Sequence, residues 1–285
     1  CSSDLATINK ADHVVTKALN DTSSWAAFDI IRGATQLLKW DATTLEYAEP
    51  DTLTAFGASS GFNLGIDASV NSVNDAGNNY IGYIWTLGAL AGMDIKIWTG
   101  TGAARTIGHD VGKVLDCMLI KKRTNDTERW CMWHRYNGLG AMTENVWLSE
   151  DSQSNYDSSG LRFNNTAPTA SAFYIGNQQD VNNRGDTYVG YFFAEIEGFS
   201  MFTGYSGTGT VDGEYIHLGF KARFIMIKRL DAVQNWVLID TARNPYNLAT
   251  KSLSPHSGVV EQTYDYLDIL SNGIQIRSTS NWVNA

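Results

Sequence analysis

What the chain has little of bounds it first. Four prolines and a charged fraction of 18% are low for 285 residues. No stretch carries the 3.6-residue apolar period over the length of a helix, which excludes a helical bundle. The longest uncharged apolar run, Tyr80 to Met93, is broken by glycines and falls short of the ~20 residues a membrane helix needs. No phosphate-cradling Gly-x-x-x-x-Gly-Lys occurs, which removes one common route to catalysis. The five histidines, His13, His109, His134, His217 and His256, lack a metal-ligand spacing, and neither a metal nor a cofactor is expected. Positive charge is short as well. A net charge of −9 repels phosphate, so nucleic acid is not an expected partner. No secretory or transit pattern is read at the start. Cys1-Ser2-Ser3-Asp4 would suit the acylated end of a processed lipoprotein, but a start set by cutting is the expected reading. Three cysteines cannot all pair. Cys117 and Cys131 fall on two arms of one predicted hairpin, which points to buried thiols.

What is abundant is glycine, at 26 residues, and aromatic rings, with 9 Trp, 13 Tyr and 11 Phe. That mixture suits pleated sheets and tight turns. The chain also repeats itself. Ile97-Trp98-Thr99-Gly100 recurs as Met201-Phe202-Thr203-Gly204, a shift of 201 − 97 = 104. Met118-Leu119-Ile120-Lys121 recurs as Ile225-Met226-Ile227-Lys228 and, upstream, as Val14-Val15-Thr16-Lys17. A period of about 105 residues predicts a tandem of like units. Their expected bounds are 1–93, 94–198 and 199–285, with only the middle one complete. The expected fold is all-β, tandem antiparallel β-sandwich repeats.

Each unit reads as a hairpin whose returning arm opens on a tryptophan, Trp25, Trp130 or Trp236, placed to anchor a core. Asp29 with Arg32, and Asp240 with Arg243, suit a charge-assisted clamp at the corner that follows. The middle unit has His134-Arg135 there instead. Variable polar sections follow at 39–58, 142–170 and 250–270, read as surface loops with a short strand. A Tyr-x-Gly-Tyr strand closes the first two units, at 80–83 and 188–191, and is missing from the third. The first unit lacks the Thr-Gly strand that opens the others. Open edges invite aggregation, so the missing strands are expected from a longer polypeptide rather than from neighbouring copies or subunits.

Few residues offer chemistry. Glu195 and Glu197 stand two apart on a predicted strand, hence on one face, the spacing a retaining glycosidase needs. Solvent-facing charge explains them better, because the first unit has Thr86-Leu87-Gly88 at those places. Asn74, Asp75, Asn78 and Asn79, and later Asp180, Asn182, Asn183 and Asp186, crowd oxygen atoms as a calcium loop does. Asx-rich turns look the same and are commoner. Arg184-Gly185-Asp186 reads as a turn. The stronger lead is six rings in or beside the variable sections: Trp40, Tyr47, Trp147, Tyr156, Tyr246 and Trp282. Such rings bind the apolar face of a sugar, or plug sheet ends and bury against a partner.

The runs GFSMFTGYSGTGTVDGEYIHLGFKARFIMIKRLDAVQNWVLIDTARNPYN, IKIWTGTGAARTIGHDVGKVLDCMLIKKR and NDTSSWAAFDIIRGATQLL, in that family's order, resemble a repeat of tailed-phage virion proteins. The likeness is to phages of cyanobacteria and marine bacteria, and covers nearly the whole chain. That repeat is placed near the concanavalin A-like lectin and glucanase sandwiches. The resemblance implies a jelly-roll fold and a place in the tail, fibre or capsid surface. Other virion proteins and copies of the chain itself would be partners, with host surface glycan a further, weak and multivalent one. It supplies no catalytic residue, so the expected function is structural rather than enzymatic. The alternatives are a bacterial surface or secreted carbohydrate-binding protein and, behind it, a glucanase acting through Glu195 and Glu197.

Overall fold

Side chains of a strand point alternately to its two faces, and in His13–Ala18 (β1) every position is buried. Val14 packs in one cluster with Ala26, Phe28 and Leu37, while Val15 packs in another with Trp25 and Ala27. A strand apolar on both faces must be covered on both, and that requirement shapes the whole molecule. The computed structural model describes residues 10–68, 73–137, 144–153, 155–156 and 161–285. The chain is all-β, built of antiparallel sheets.

In the first stretch β1 pairs with β2 (Ala26–Asp29), followed outward by β3 (Gly33–Lys39) and β4 (Tyr47–Ala48). The strands β5 (Leu53–Phe56) and β6 (Phe62–Leu64) form a pair of their own, and β7 (Tyr80–Trp85) returns to the other side of β1. The middle stretch contains β8 (Met93–Thr99), β9 (Arg105–Gly108), β10 (Cys117–Lys122) and β11 (Cys131–His134). It continues with β12 (Glu144–Trp147), β13 (Asn155–Tyr156), β14 (Ala172–Ile175), the one-turn helix α1 (Gln179–Asn182) and β15 (Thr187–Phe193). Six of these make one sheet in the order β13-β12-β11-β10-β15-β8, and β14 pairs with β9 apart from it. The last stretch holds β16 (Tyr215–His217), β17 (Phe224–Ile227), β18 (Val237–Asp240), β19 (Ala249–Ser252), β20 (Gln262–Ile269) and β21 (Gly273–Ile276). There β17 pairs with β18 alone, beside a sheet ordered β16-β21-β20-β19.

The three hairpins keep one register. His13 lies opposite Asp29, Cys117 opposite His134, and Phe224 opposite Asp240. Alternation then sorts their side chains. Met118 and Ile120 enter a cluster with Phe173 and Ile175 of the facing pair, and Ile225 and Ile239 enter one with Tyr266 and Ile274. From the opposite faces Val15, Leu119, Met226 and Leu238 meet in one common core, together with Trp25, Trp130 and Trp236. Each stretch thus has a core of its own and a share in a central one. The same alternation separates the thiols: Cys117 faces the common core and Cys131 the middle stretch's own.

Two expectations need correction. The section 250–270 is not mainly loop, because β20 runs eight residues and buries Tyr266, Leu267 and Ile269. Glu195 and Glu197 do not share a strand face. The strand β15 ends at Phe193, and the chain then turns back through Gly198, whose φ of +74° suits a glycine. Among the described residues no helix is long and apolar enough to cross a membrane.

Candidate functional site

Where the three hairpins meet, each tryptophan reaches out of its own stretch. Trp25 Nε1 donates to the carbonyls of Ser254 and Ser257 at 3.0 and 3.1 Å. Trp130 Nε1 donates to Lys39 O at 2.7 Å. Trp236 Nε1 donates to Trp147 O and Glu150 O, both at 3.1 Å. First reaches third, middle reaches first, third reaches middle, so the contacts close into a ring. A buried indole needs a partner for its N–H, and here the partner is always the neighbouring stretch.

Three lysines follow the same plan. Lys17, Lys121 and Lys228 turn their ammonium groups onto backbone carbonyls within their own hairpin turns. Lys121 also donates to Thr43 O at 2.8 Å and Lys228 to Asp151 O at 3.1 Å, each in the adjacent stretch. Burial pulls all three down to about 8, since a charged amine loses hydration there.

Two of the three seams carry a buried tyrosine–aspartate–arginine group. Tyr191 donates its hydroxyl to Asp29 at 2.7 Å, and Asp29 also holds the Arg32 guanidinium. Arg32 in turn pairs with Glu46 at 2.9 Å, and Glu46 pairs with Arg123 of the middle stretch at 2.6 Å. At the next seam Tyr83 donates to Asp240 at 2.8 Å, Asp240 holds Arg243 at 2.5 Å, and Arg243 reaches Glu261 at 3.2 Å. Burial alone would raise the Asp29 carboxyl; the Arg32 charge, His13 and the donors around it hold it below its ordinary value. Burial raises the hydroxyls of Tyr83 and Tyr191, so both act as neutral donors. His13, between Tyr191 and Trp85 with ring centroids 4.5 and 5.1 Å away, is pulled down by burial to about 4. This assembly can bind stretch to stretch; its polar groups point at one another.

The six rings picked out in the sequence are not brought together. Trp40 is 4% exposed in the common core, stacked 5.9 Å from Trp25. Trp147 is 7% exposed, with Arg162 and Arg129 over its ring at 4.9 and 5.4 Å. Tyr47 packs against the first stretch's own core under Lys39. Trp282 packs against the third stretch's core, edge-on to Tyr264 at 5.4 Å. Tyr156 has its backbone in β13, and its side chain lies outside the described residues. Tyr246 alone of the five described rings stands free, at 83% exposure. A ring in a variable section is as able to seal a sheet end as to meet solvent, and sequence does not separate the two. Tyr83, Tyr191 and the three lysines were the opposite case. Their recurrence at fixed places in the repeat was the available signal.

The Asx-rich segment is spent on protein donors. Asp180 takes Arg162 at 2.6 Å, Asp186 takes Lys122 at 2.8 Å, and Thr101 N donates to Asn182 Oδ1 at 2.9 Å. Asp186 also closes the Arg184-Gly185-Asp186 turn, accepting from Asn183 Nδ2 at 2.7 Å. On the outside, a groove of about 860 Å³ runs along β7, floored by Ile81 to Ile84 and walled by Phe224 and the corner Asp240 to Ala242.

Comparison with known proteins gives a family and nothing finer. A family model described as a domain of unknown function, DUF7483, matches residues 2–285. No curated protein and no solved structure matches the chain.

Proposed function

We propose that this chain, which belongs to the DUF7483 family, is a structural, non-enzymatic protein of a tailed-phage virion, in the tail, a fibre or the capsid surface. In this reading the three stretches are tandem jelly-roll units of the concanavalin A-like kind, each about 105 residues long. The observation that carries it is the ring of tryptophan bonds from first to third, middle to first and third to middle. Buried charge, the material of most active sites, is used here to join copies: Asp29 and Arg32 at one seam, Asp240 and Arg243 at another. An interlocked body of this kind works as a rigid element that adds length and surface to an assembly. Other virion proteins and further copies of the chain are its partners. Contact with host glycan would pass through exposed rings such as Tyr246, weakly per site and by copy number.

The test is immunogold electron microscopy with antibodies raised against the 285-residue chain. Tailed particles from the source of the sequence should be decorated at one level of the tail or over the capsid. Label confined to bacterial envelopes or to particle-free medium would sink the reading in favour of a surface or secreted lectin.

A further inference from the structure

The middle stretch shows what its Tyr-x-Gly-Tyr strand requires. There β15 is paired on both sides, with β10 along one edge and β8 along the other, Tyr191 opposite Ile95 and Tyr188 opposite Trp98. The corresponding β7 is paired with β1 and, among the described residues, is the last strand of its sheet. Its Asn79 and Trp85 carbonyls accept from β1's side at 2.7 and 3.0 Å. In an antiparallel pair the backbone groups alternate, so Tyr80, Gly82 and Ile84 turn theirs to the open side. The open side is the groove of about 860 Å³.

Two further details mark that groove as a place built for a strand. A side chain added at Gly190 would lie 2.9 Å from the Trp98 ring of β8 and closer still to Phe192; glycine is there because a neighbouring element comes close. Gly82 holds the same place in β7, yet the nearest atom to a side chain added there is Thr16 Cγ2, at 3.9 Å. The room made for a tryptophan is present without the tryptophan. Then there are the staples. Asn182 donates to Gly176 O and to Ala103 O of the Thr-Gly turn that follows β8, and Asn284 likewise donates at 2.7 Å to Ser278 O and to Thr210 O of the third stretch's Thr-Gly turn. Asn74, their counterpart, reaches Gly65 O at 2.6 Å, and among the described residues no Thr-Gly turn stands beside it.

From these we infer that the outer edge of β7 is an acceptor for one antiparallel strand of the β8 kind. That strand alternates apolar side chains toward the common core, places a tryptophan over Gly82, and ends in a Thr-Gly turn that Asn74 staples. This is strand addition to a sheet edge, with main-chain bonds supplying affinity and the Gly82 recess supplying selectivity. It holds whether or not the chain belongs to a virion.

The probe is a fluorescein-labelled peptide of the chain's own residues 92–103, Gly-Met-Asp-Ile-Lys-Ile-Trp-Thr-Gly-Thr-Gly-Ala, titrated by anisotropy against the whole 285-residue protein. Saturable one-to-one binding is expected, with slowed hydrogen exchange at Gly82 and Ile84. In β8 the amides of Lys96 and Trp98 face the acceptor and that of Ile97 faces away, as the register dictates. N-methylation at the Lys96 position should therefore abolish binding, and at the Ile97 position should leave it. On the protein side Gly82→Phe fills the recess without meeting a close neighbour, and should weaken binding about tenfold or more, as loss of an aromatic anchor does. Absence of saturable binding overturns the inference, as does binding indifferent to both N-methylation and Gly82→Phe. Self-association of the chain that Gly82→Phe abolishes, with no uptake of peptide, also overturns it and assigns the edge to a second copy.

Discussion

The seam between the first and middle stretches and the seam between the middle and third use the same tryptophan bond and differ in almost everything else. At the first, Trp130 is joined by Tyr191, Asp29, Arg32 and the Glu46–Arg123 pair. At the second, Trp236 and Lys228 hold backbone carbonyls of residues 147–151, and His134 occupies the place that Asp29 and Asp240 take elsewhere. Arg135 beside it pairs with Asp116 at 2.7 Å from a side chain 44% exposed. The indole and the lysine are therefore the common device, and the buried ionic group is an addition at two seams. The addition brings the constraint of a charge that must never be left alone.

That division is broken most severely at the common device. Trp130→Ala should cost about 5 kcal/mol, a large aromatic cavity plus the stranded carbonyl of Lys39. Because its ring lies in the shared core, urea unfolding followed by tryptophan emission and by circular dichroism should show one transition shifted as a whole. Separate transitions for separate stretches would show the ring to be decorative.

Next comes the contrast between clamps. Asp29→Ala leaves Arg32, fully buried, with Glu46 as its remaining charged partner, and should cost about 3 kcal/mol. Arg135→Ala removes an exposed pair and should cost under about 1 kcal/mol. Equal losses in denaturant titrations would mean that burial is not what separates these seams.

His13 sharpens the comparison through pH. Its folded value of about 4 lies below the ordinary 6.5 because burial disfavours the imidazolium. Between those values the unfolded chain takes up a proton that the folded chain refuses, so stability falls as pH drops from 6.5 toward 4. At pH 5 the loss from this one group is about 2 kcal/mol. The third stretch carries Phe224 in the same register position, which makes His13→Phe a native-like replacement. It should remove about that much of the acid slope. His134 and His256, also drawn down to about 4 by burial, add to the same slope.

Much of this was readable in the chain and some was not, for a physical reason. A repeat fixes which positions must be alike, so the hairpins, the anchoring tryptophans and the Asp–Arg corners could be placed from Trp25, Trp130, Trp236, Asp29 and Asp240. The bond from Tyr191 to Asp29 joins residues 162 apart, and no local pattern encodes which copy a hydroxyl will meet. The six rings do not gather on one surface, because composition gives a ring's chemistry and not what covers it. Trp40 and Trp147 found enclosed places, through stacking on Trp25 and contact with Arg162. Glu195 and Glu197 failed because strand alternation was extended four residues past the point where Phe193 ends β15.

Tyr246 and Tyr191 form the last contrast, one chemical group in opposite surroundings. Tyr191 is fully buried and its hydroxyl is committed to Asp29, whereas Tyr246 is 83% exposed. Removing an exposed ring strips few contacts and strands no polar atom, so Tyr246→Ala should change stability by less than about 0.5 kcal/mol. If host glycan binds through this ring, the same variant should lose retention on a glycan array while its melting temperature stays put. A stability loss of about 1 kcal/mol or more would instead place Tyr246 in a contact that holds the fold, and would take it out of consideration as a recognition residue.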